Sequence, residues 1–243
     1  MNLQKIGNPI WTEENLRESL KEFVDLYKQR PIRDNTGGMK SPHMFATWFT
    51  IKCLKPKHIV ESGIWKGQGT WFFEKAAPES NIYSIDVNLS NRQYIASSPK
   101  VKYFDKDLFS INLLENLPPQ ETLLFFDDHQ NMFERLKKIK DMGFIHFMDE
   151  DNYPIGKGDC FSIKQAFEYP DSSKWLFENL EVYYEFPPIF KGGVTRWGDS
   201  WENNYPTPEP LLNFEKDYDN DFQILIDEYL DYTWICYGKI KNA

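Results

Sequence analysis

The chain has 243 residues, 41% of them hydrophobic and 27% charged, a globular composition that excludes a disordered or membrane-embedded protein. A net charge of −9 and a pI near 5.1, with no basic run interleaved with aromatics, argue against nucleic acid as a partner. No apolar stretch approaches the roughly 20 residues of a membrane span, and Met1–Trp11 lacks the apolar core of a signal peptide, so a cytoplasmic location is expected.

This length suits a single domain over 1–243, with N-terminal helices over 1–56. From Thr12 to Arg30 the residues Leu16, Leu20, Phe23, Val24 and Tyr27 recur at helical spacing, with Thr12 as N-cap. Residues 31–41 read as a loop broken by Gly37 and Gly38, and Ser41-Pro42 opens a second helix running to Leu54. Short apolar runs then alternate with helical stretches: 58–62, 81–86, 101–104, 122–127 and 144–148, with a helix over 130–141 that stops before Gly143. The pattern predicts an α/β fold, a Rossmann-like, doubly wound and mostly parallel sheet of about seven strands with helices on both faces.

After Tyr169 the pattern loosens. A strand over 180–186 leads into a lid-like C-terminal insertion, 187–212, rich in Gly, Pro, Asn and Trp, and a last strand is expected within 232–240. Aromatics make up 16% of the chain, more than a core of this size needs, so some are expected to line a pocket. Cys53, Cys160 and Cys236 are widely spaced in apolar surroundings and read as buried, reduced thiols.

The most informative stretch is IVESGIWKGQGTWFF, residues 59–73. An apolar strand runs into Glu61, then Gly63, Gly67 and Gly69, then a helix, so a cofactor is expected on the turn at the carboxyl end of the first strand. The GxxxGxG spacing departs from the GxGxxG of dinucleotide enzymes. Glu61 would repel a pyrophosphate and attract the amino group of a cationic cofactor, and the sign of the charge favours S-adenosylmethionine. Asp86 ends the second strand, where an acid can accept both ribose hydroxyls.

A second constellation, FFDDHQN (125–131) and MDEDNYPIG (148–156), follows the fourth and fifth strands. Neighbouring strand ends lie about 4.8 Å apart, so these acidic loops converge beside the cofactor turn. Oxygen donors grouped in this way suit Mg²⁺ or another divalent cation, which lowers the pKa of a bound hydroxyl.

These pieces, spanning about 35–156, resemble the class I S-adenosylmethionine-dependent methyltransferases, most closely the metal-dependent catechol O-methyltransferase type, and in outline the related sugar O-methyltransferases. The shared order is VESGIWKG, YSID, DDH and DEDN. The resemblance implies a cofactor-binding core over 57–156, with Glu61, Gly63 and Trp65 at the methionine part, Gly67 in the turn, and Asp86 on the ribose. It implies Asp105 or Asp107 near the adenine, Gly38 and Met39 near the sulfur, Asp127 at the cofactor, and Asp128, Asp151 and Asn152 on the metal. Where that family has a catalytic lysine, three residues beyond the metal-binding Asp128, this chain has Asn131. The candidate catalytic residues are therefore Asp128 and His129, the latter as proton acceptor or as a hydrogen-bonding neighbour of the cofactor.

The expected reaction is O-methylation of a small-molecule acceptor, a sugar hydroxyl being favoured and a phenol possible, with Glu150 and Asp127 able to bind hydroxyls and Trp197, Trp201 and Tyr205 able to stack on a ring. Two alternatives stand beside it: a nicotinamide-dependent oxidoreductase, which Glu61 opposes, and a metal-dependent hydrolase built on the acids, which leaves the glycine turn idle.

Overall fold

The computed structural model describes residues 5–201 and 205–242, so residues 202–204 of the lid insertion lie outside the described residues. Among the described residues seven strands, β1 (His58–Ser62), β2 (Asn81–Ile85), β3 (Val101–Phe104), β4 (Thr122–Phe126), β5 (His146–Asp149), β6 (Leu180–Glu185) and β7 (Cys236–Ile240), form one sheet in the order β3-β2-β1-β4-β5-β7-β6. The first five are parallel, and β7 is inserted antiparallel between β5 and β6. Strands buried on both faces need no alternation, which is why TLLFF is buried at all five positions.

One face carries α1 (Glu13–Tyr27), α2 (Ser41–Leu54) and α3 (Gln68–Ala76) around Phe45, Trp48, Phe72 and Phe125. The other carries α4 (Met132–Asp141), α5 (Ile163–Ala166) and α6 (Pro170–Asn179) around Leu124, Leu136 and Phe147. A short α7 (Gln223–Asp227) precedes β7. In α1, Thr12 accepts from Asn15 N–H while the Asn15 side chain accepts from Thr12 N–H, closing a reciprocal cap. Residues Ser41 to Ile51 of α2 are all buried, because α1, α3 and α7 all pack against it.

The order reverses at β1 and β4, so the crevice between their carboxyl ends is where such sheets bind ligands. The insertion is tied down rather than free-standing. Lys157 pairs with Asp199 at 2.7 Å, Lys164 donates to the Pro206 carbonyl at 3.0 Å, and the Leu211 and Leu212 amides donate to the Pro188 and Ile189 carbonyls. The three cysteines are free thiols; Cys236 is buried, but Cys53 and Cys160 are only partly so.

Candidate active site

The turn after β1 is built by close backbone approach. Gly63 has φ +98°, and a Cβ there would fall 1.8 Å from the Asp127 carbonyl oxygen, so only glycine lets the β1 and β4 turns meet. Ile64 and Trp65 amides donate to the Asp86 carboxylate at 2.8 and 3.3 Å, and Trp65 itself has φ +49°. Asp86 thus holds the turn as well as facing the crevice. Loop 34–39 folds over this turn: the Trp65 indole donates to the Thr36 carbonyl, Lys66 to the Asp34 carbonyl, and Gly38 packs on the Trp65 ring. Met39 lies under the loop, close to Gly69 and Thr47.

Glu61 is 1% exposed and accepts from Thr70 Oγ1 and Ser84 Oγ, each at 2.5 Å, through one oxygen. Burial pushes its carboxyl up to about 8, against the pull of those two hydroxyls. Both polar atoms of the Gln68 side chain, next in sequence to the Gly69 that abuts Glu61, and Oδ1 of Asn35, in the loop over the turn, are buried without partners among the described residues. Such atoms cost about 1–3 kcal/mol each unless a ligand satisfies them, and they fit the amino acid end of a polar cofactor.

The adjoining crevice, about 240 Å³, is lined by Gly63, Asp86, Asp107, Asp127, Asp128 and His129 among others. Of the residues expected at a cofactor, it brings Gly63, Asp86, Asp107 and Asp127 together; Asp105 is exposed and outside it. Arg135, which sequence reasoning missed, forms its wall: its guanidinium lies 3.0 Å from Asp107 and 2.7 Å from Asp128.

The acidic cluster departs from the expected ligand set. Asp127, His129 and Asp151 place donor atoms within 4.8 Å of one another. Asp128, the expected ligand, turns the other way, accepting from Ser62 Oγ at 2.5 Å and pairing with Arg135. Consecutive residues beyond a strand end point to opposite sides, so Asp127 takes the position expected of Asp128. Asn152 is also displaced from the set: its amide donates to the Tyr183 hydroxyl and the Trp234 carbonyl, its oxygen accepts from the Lys164 amide, and it is fully buried. Asn131, three residues beyond Asp128, caps α4 by accepting from the Glu134 amide.

Burial and the neighbouring Glu150 push both Asp127 and Asp151 well above the carboxylate range. Asp151 Oδ1 is buried without a partner. Two crowded carboxylates fit a divalent cation, which would relieve both conditions, with the His129 imidazole beside them. His129 has φ +52°, a strained backbone of the kind found at functional loops, and its Nδ1 lies 2.8 Å from Asp159.

Two expected acceptor-binding residues are engaged by the protein itself. Glu150 is 8% exposed and lies 2.5 Å from His43 Nδ1. Trp201 is 3% exposed against Tyr232 and Trp234, so its ring offers no free face. Trp197 stacks on Trp234 and meets Tyr153 edge-on, and the Tyr153 amide donates to the Asp151 carbonyl at 2.8 Å.

The strand order with its reversed β7 makes a Rossmann-like, mostly parallel sheet, with the glycine turn and the acids at its switch point. No family model and no curated protein matches the chain. Among solved structures, CmcI with Mg and SAM is similar over 65% of this chain and 69% of its own, at 21% identity and a TM-score of 0.47. TomG, an O-methyltransferase of Streptomyces achromogenes involved in tomaymycin synthesis and seen with SAM, covers 58% of this chain and 72% of its own (14% identity, TM-score 0.40). An O-methyltransferase from Bacillus cereus with SAH covers 96% and 93% (12% identity, TM-score 0.40).

Proposed function

We propose that the chain is an S-adenosylmethionine-dependent O-methyltransferase acting on a small-molecule hydroxyl with the help of a divalent cation. The observation that carries this reading is the buried Glu61 carboxylate at the glycine turn, accompanied by the partnerless polar atoms of Gln68 and Asn35 and by the Asp127, His129 and Asp151 cluster. Glu61 would hold the cofactor's ammonium group. Asp86 and the turn it fixes would hold the ribose. Asp107 and Arg135 would close the adenine end, while loop 34–39 with Gly38 and Met39 excludes water over the methionine part.

Asp127 and Asp151 would hold the cation, Mg²⁺ being favoured by hard oxygen donors. When bound, S-adenosylmethionine supplies the methyl group and the cation lowers the pKa of the acceptor hydroxyl. With Nδ1–H donated to Asp159, His129 leaves Nε2 free to take the acceptor proton. Asp128, its charge met by Arg135, shapes the cofactor crevice and is not the base.

Trp197 and Tyr153 beside Asp151 would form the acceptor wall, and their mixture of ring faces and acids favours a sugar hydroxyl over a phenol. Calorimetry with S-adenosylhomocysteine and Mg²⁺, followed by methyl transfer from labelled cofactor to a panel of sugars and phenols, tests the reading. A protein that takes up neither ligand is not this enzyme.

A further inference from the structure

His43 lies on α2, far in sequence from the acids, and is 1% exposed. Its ring joins two other parts of the fold. Nδ1 sits 2.5 Å from Glu150 Oε1, and Nε2 receives the Thr233 backbone N–H at 2.8 Å. A ring nitrogen that accepts from an amide carries no proton, so the proton is on Nδ1, and the ring is a neutral donor to Glu150. Tyr232 closes the ring's edge at a centroid distance of 6.0 Å. Glu150 follows β5 directly, its amide donating to the Phe126 carbonyl at the end of β4, and it is joined by one peptide bond to Asp151, whose carboxylate lies in the cluster with Asp127.

We propose that His43 is a positioning residue for the cation site: its Nδ1–H fixes the Glu150 carboxylate and with it the chain at 150–151, which sets where the Asp151 carboxylate meets Asp127. This rests on the cation reading of the cluster. The geometry is that of an outer-shell partner. A helix buried on all sides presents a rigid donor, the Thr233 amide sets the tautomer, and one side-chain carboxylate receives the result. A purely space-filling imidazole needs neither the amide at Nε2 nor the short contact at Nδ1.

The test is titration of the full chain with Mg²⁺ by calorimetry, for the wild type, His43→Ala, His43→Asn and His43→Gln, with S-adenosylhomocysteine affinity and melting temperature measured on each. An Asn side chain can place an N–H near the Nδ1 position, whereas Gln reaches toward Nε2. The expected result is a 10- to 100-fold loss of Mg²⁺ affinity in His43→Ala and His43→Gln, recovery to within about threefold in His43→Asn, and homocysteine-form binding unchanged throughout. Folded His43→Ala with wild-type Mg²⁺ affinity, or His43→Asn as weak as His43→Ala, overturns the proposal.

A second measurement needs no variant. The ¹⁵N spectrum of the wild-type imidazoles should show one ring protonated at Nδ1 and bare at Nε2; an Nε2–H tautomer or an imidazolium at His43 overturns the assignment. Wild-type protein that binds the homocysteine form but no Mg²⁺ removes the cation reading itself. That outcome differs from a failure confined to the variants.

Discussion

The guanidinium of Arg135 lies 2.7 Å from the carboxylate of Asp128, and both side chains are largely buried. The pair explains why two adjacent aspartates have different surroundings: Asp128 has its counter-ion from the protein, and Asp127 faces other acids. Removing one partner of such a pair leaves an uncompensated charge. Arg135→Met should therefore cost about 3 kcal/mol in denaturant unfolding, and adding Asp128→Asn should recover most of it. Additive losses in the double variant would mean that the two do not act as a pair.

Asp86 has two tasks in this structure, because its carboxylate receives the Ile64 and Trp65 amides and also lines the crevice. Asp86→Ala should weaken S-adenosylhomocysteine binding by about 1–3 kcal/mol, as expected when hydrogen bonds to a charged group are lost. Asp86→Asn, which keeps one acceptor for the turn, should retain more affinity than the alanine variant. Calorimetry on the three proteins decides it, and equal affinities would remove Asp86 from the cofactor site.

Most of the sheet was legible because buried parallel strands leave continuous apolar runs: 58–62 and 101–104 coincide with β1 and β3 to the residue. The helices α5 and α6 were not, since FSIKQAFEYPDSSKWLF mixes aromatics, serines and a proline without a clear stripe. The glycine turn was readable from Glu61 and Gly63. The exchange of Asp127 for Asp128 was not, because sequence order does not show which way a side chain leaves a strand end, and the deciding partner, Arg135, is one turn into the next helix. His43 had no sequence signal either: its partners Glu150 and Thr233 lie 107 and 190 residues away.

Glu61 predicts a pH dependence. Its folded-state value is raised to about 8 from an ordinary 4.5, so between those values the folded protein holds a proton that the unfolded chain has released. That contribution to stability is complete below about 4.5 and is lost as pH rises toward 8, with a slope of at most about 1.4 kcal/mol per pH unit. Glu61→Gln should flatten this part of the stability curve. The same proton should leave when an ammonium group binds beside Glu61, so calorimetry of S-adenosylhomocysteine at pH 7 in buffers of different ionisation enthalpy should show proton release in the wild type and none from this site in Glu61→Gln.

Gly63 couples the two halves of the site, since its Cα is packed on the Asp127 carbonyl with φ +98°. Gly63→Ala must move one of the two turns. Left-handed strain alone costs about 1–2 kcal/mol, and the clash adds to it. The expected outcome is a folded but destabilised protein with weakened binding of both S-adenosylhomocysteine and Mg²⁺. Loss of one affinity with the other intact would show that the cofactor turn and the cation cluster are independent.

Lys164 and Glu185 form a second buried pair, with the ammonium 2.7 and 2.8 Å from the two carboxylate oxygens and 3.0 Å from the Pro206 carbonyl. Asn152 donates to the Tyr183 hydroxyl, which donates to Glu185, so the network runs from the end of β5 to the lid insertion. Lys164→Met strips the charge partner from Glu185 and the anchor from Pro206 together. The loss should be about 3–5 kcal/mol, and Lys164→Met with Glu185→Gln should restore most of the stability, because no buried charge is left unpaired. The lid should respond differently: its anchor is missing in both variants, so cleavage within 187–212 by a nonspecific protease under native conditions should be faster than wild type in both. Wild-type cleavage rates in the stabilised double variant would show that the insertion is held by its aromatic packing on Trp234 and not by the lysine.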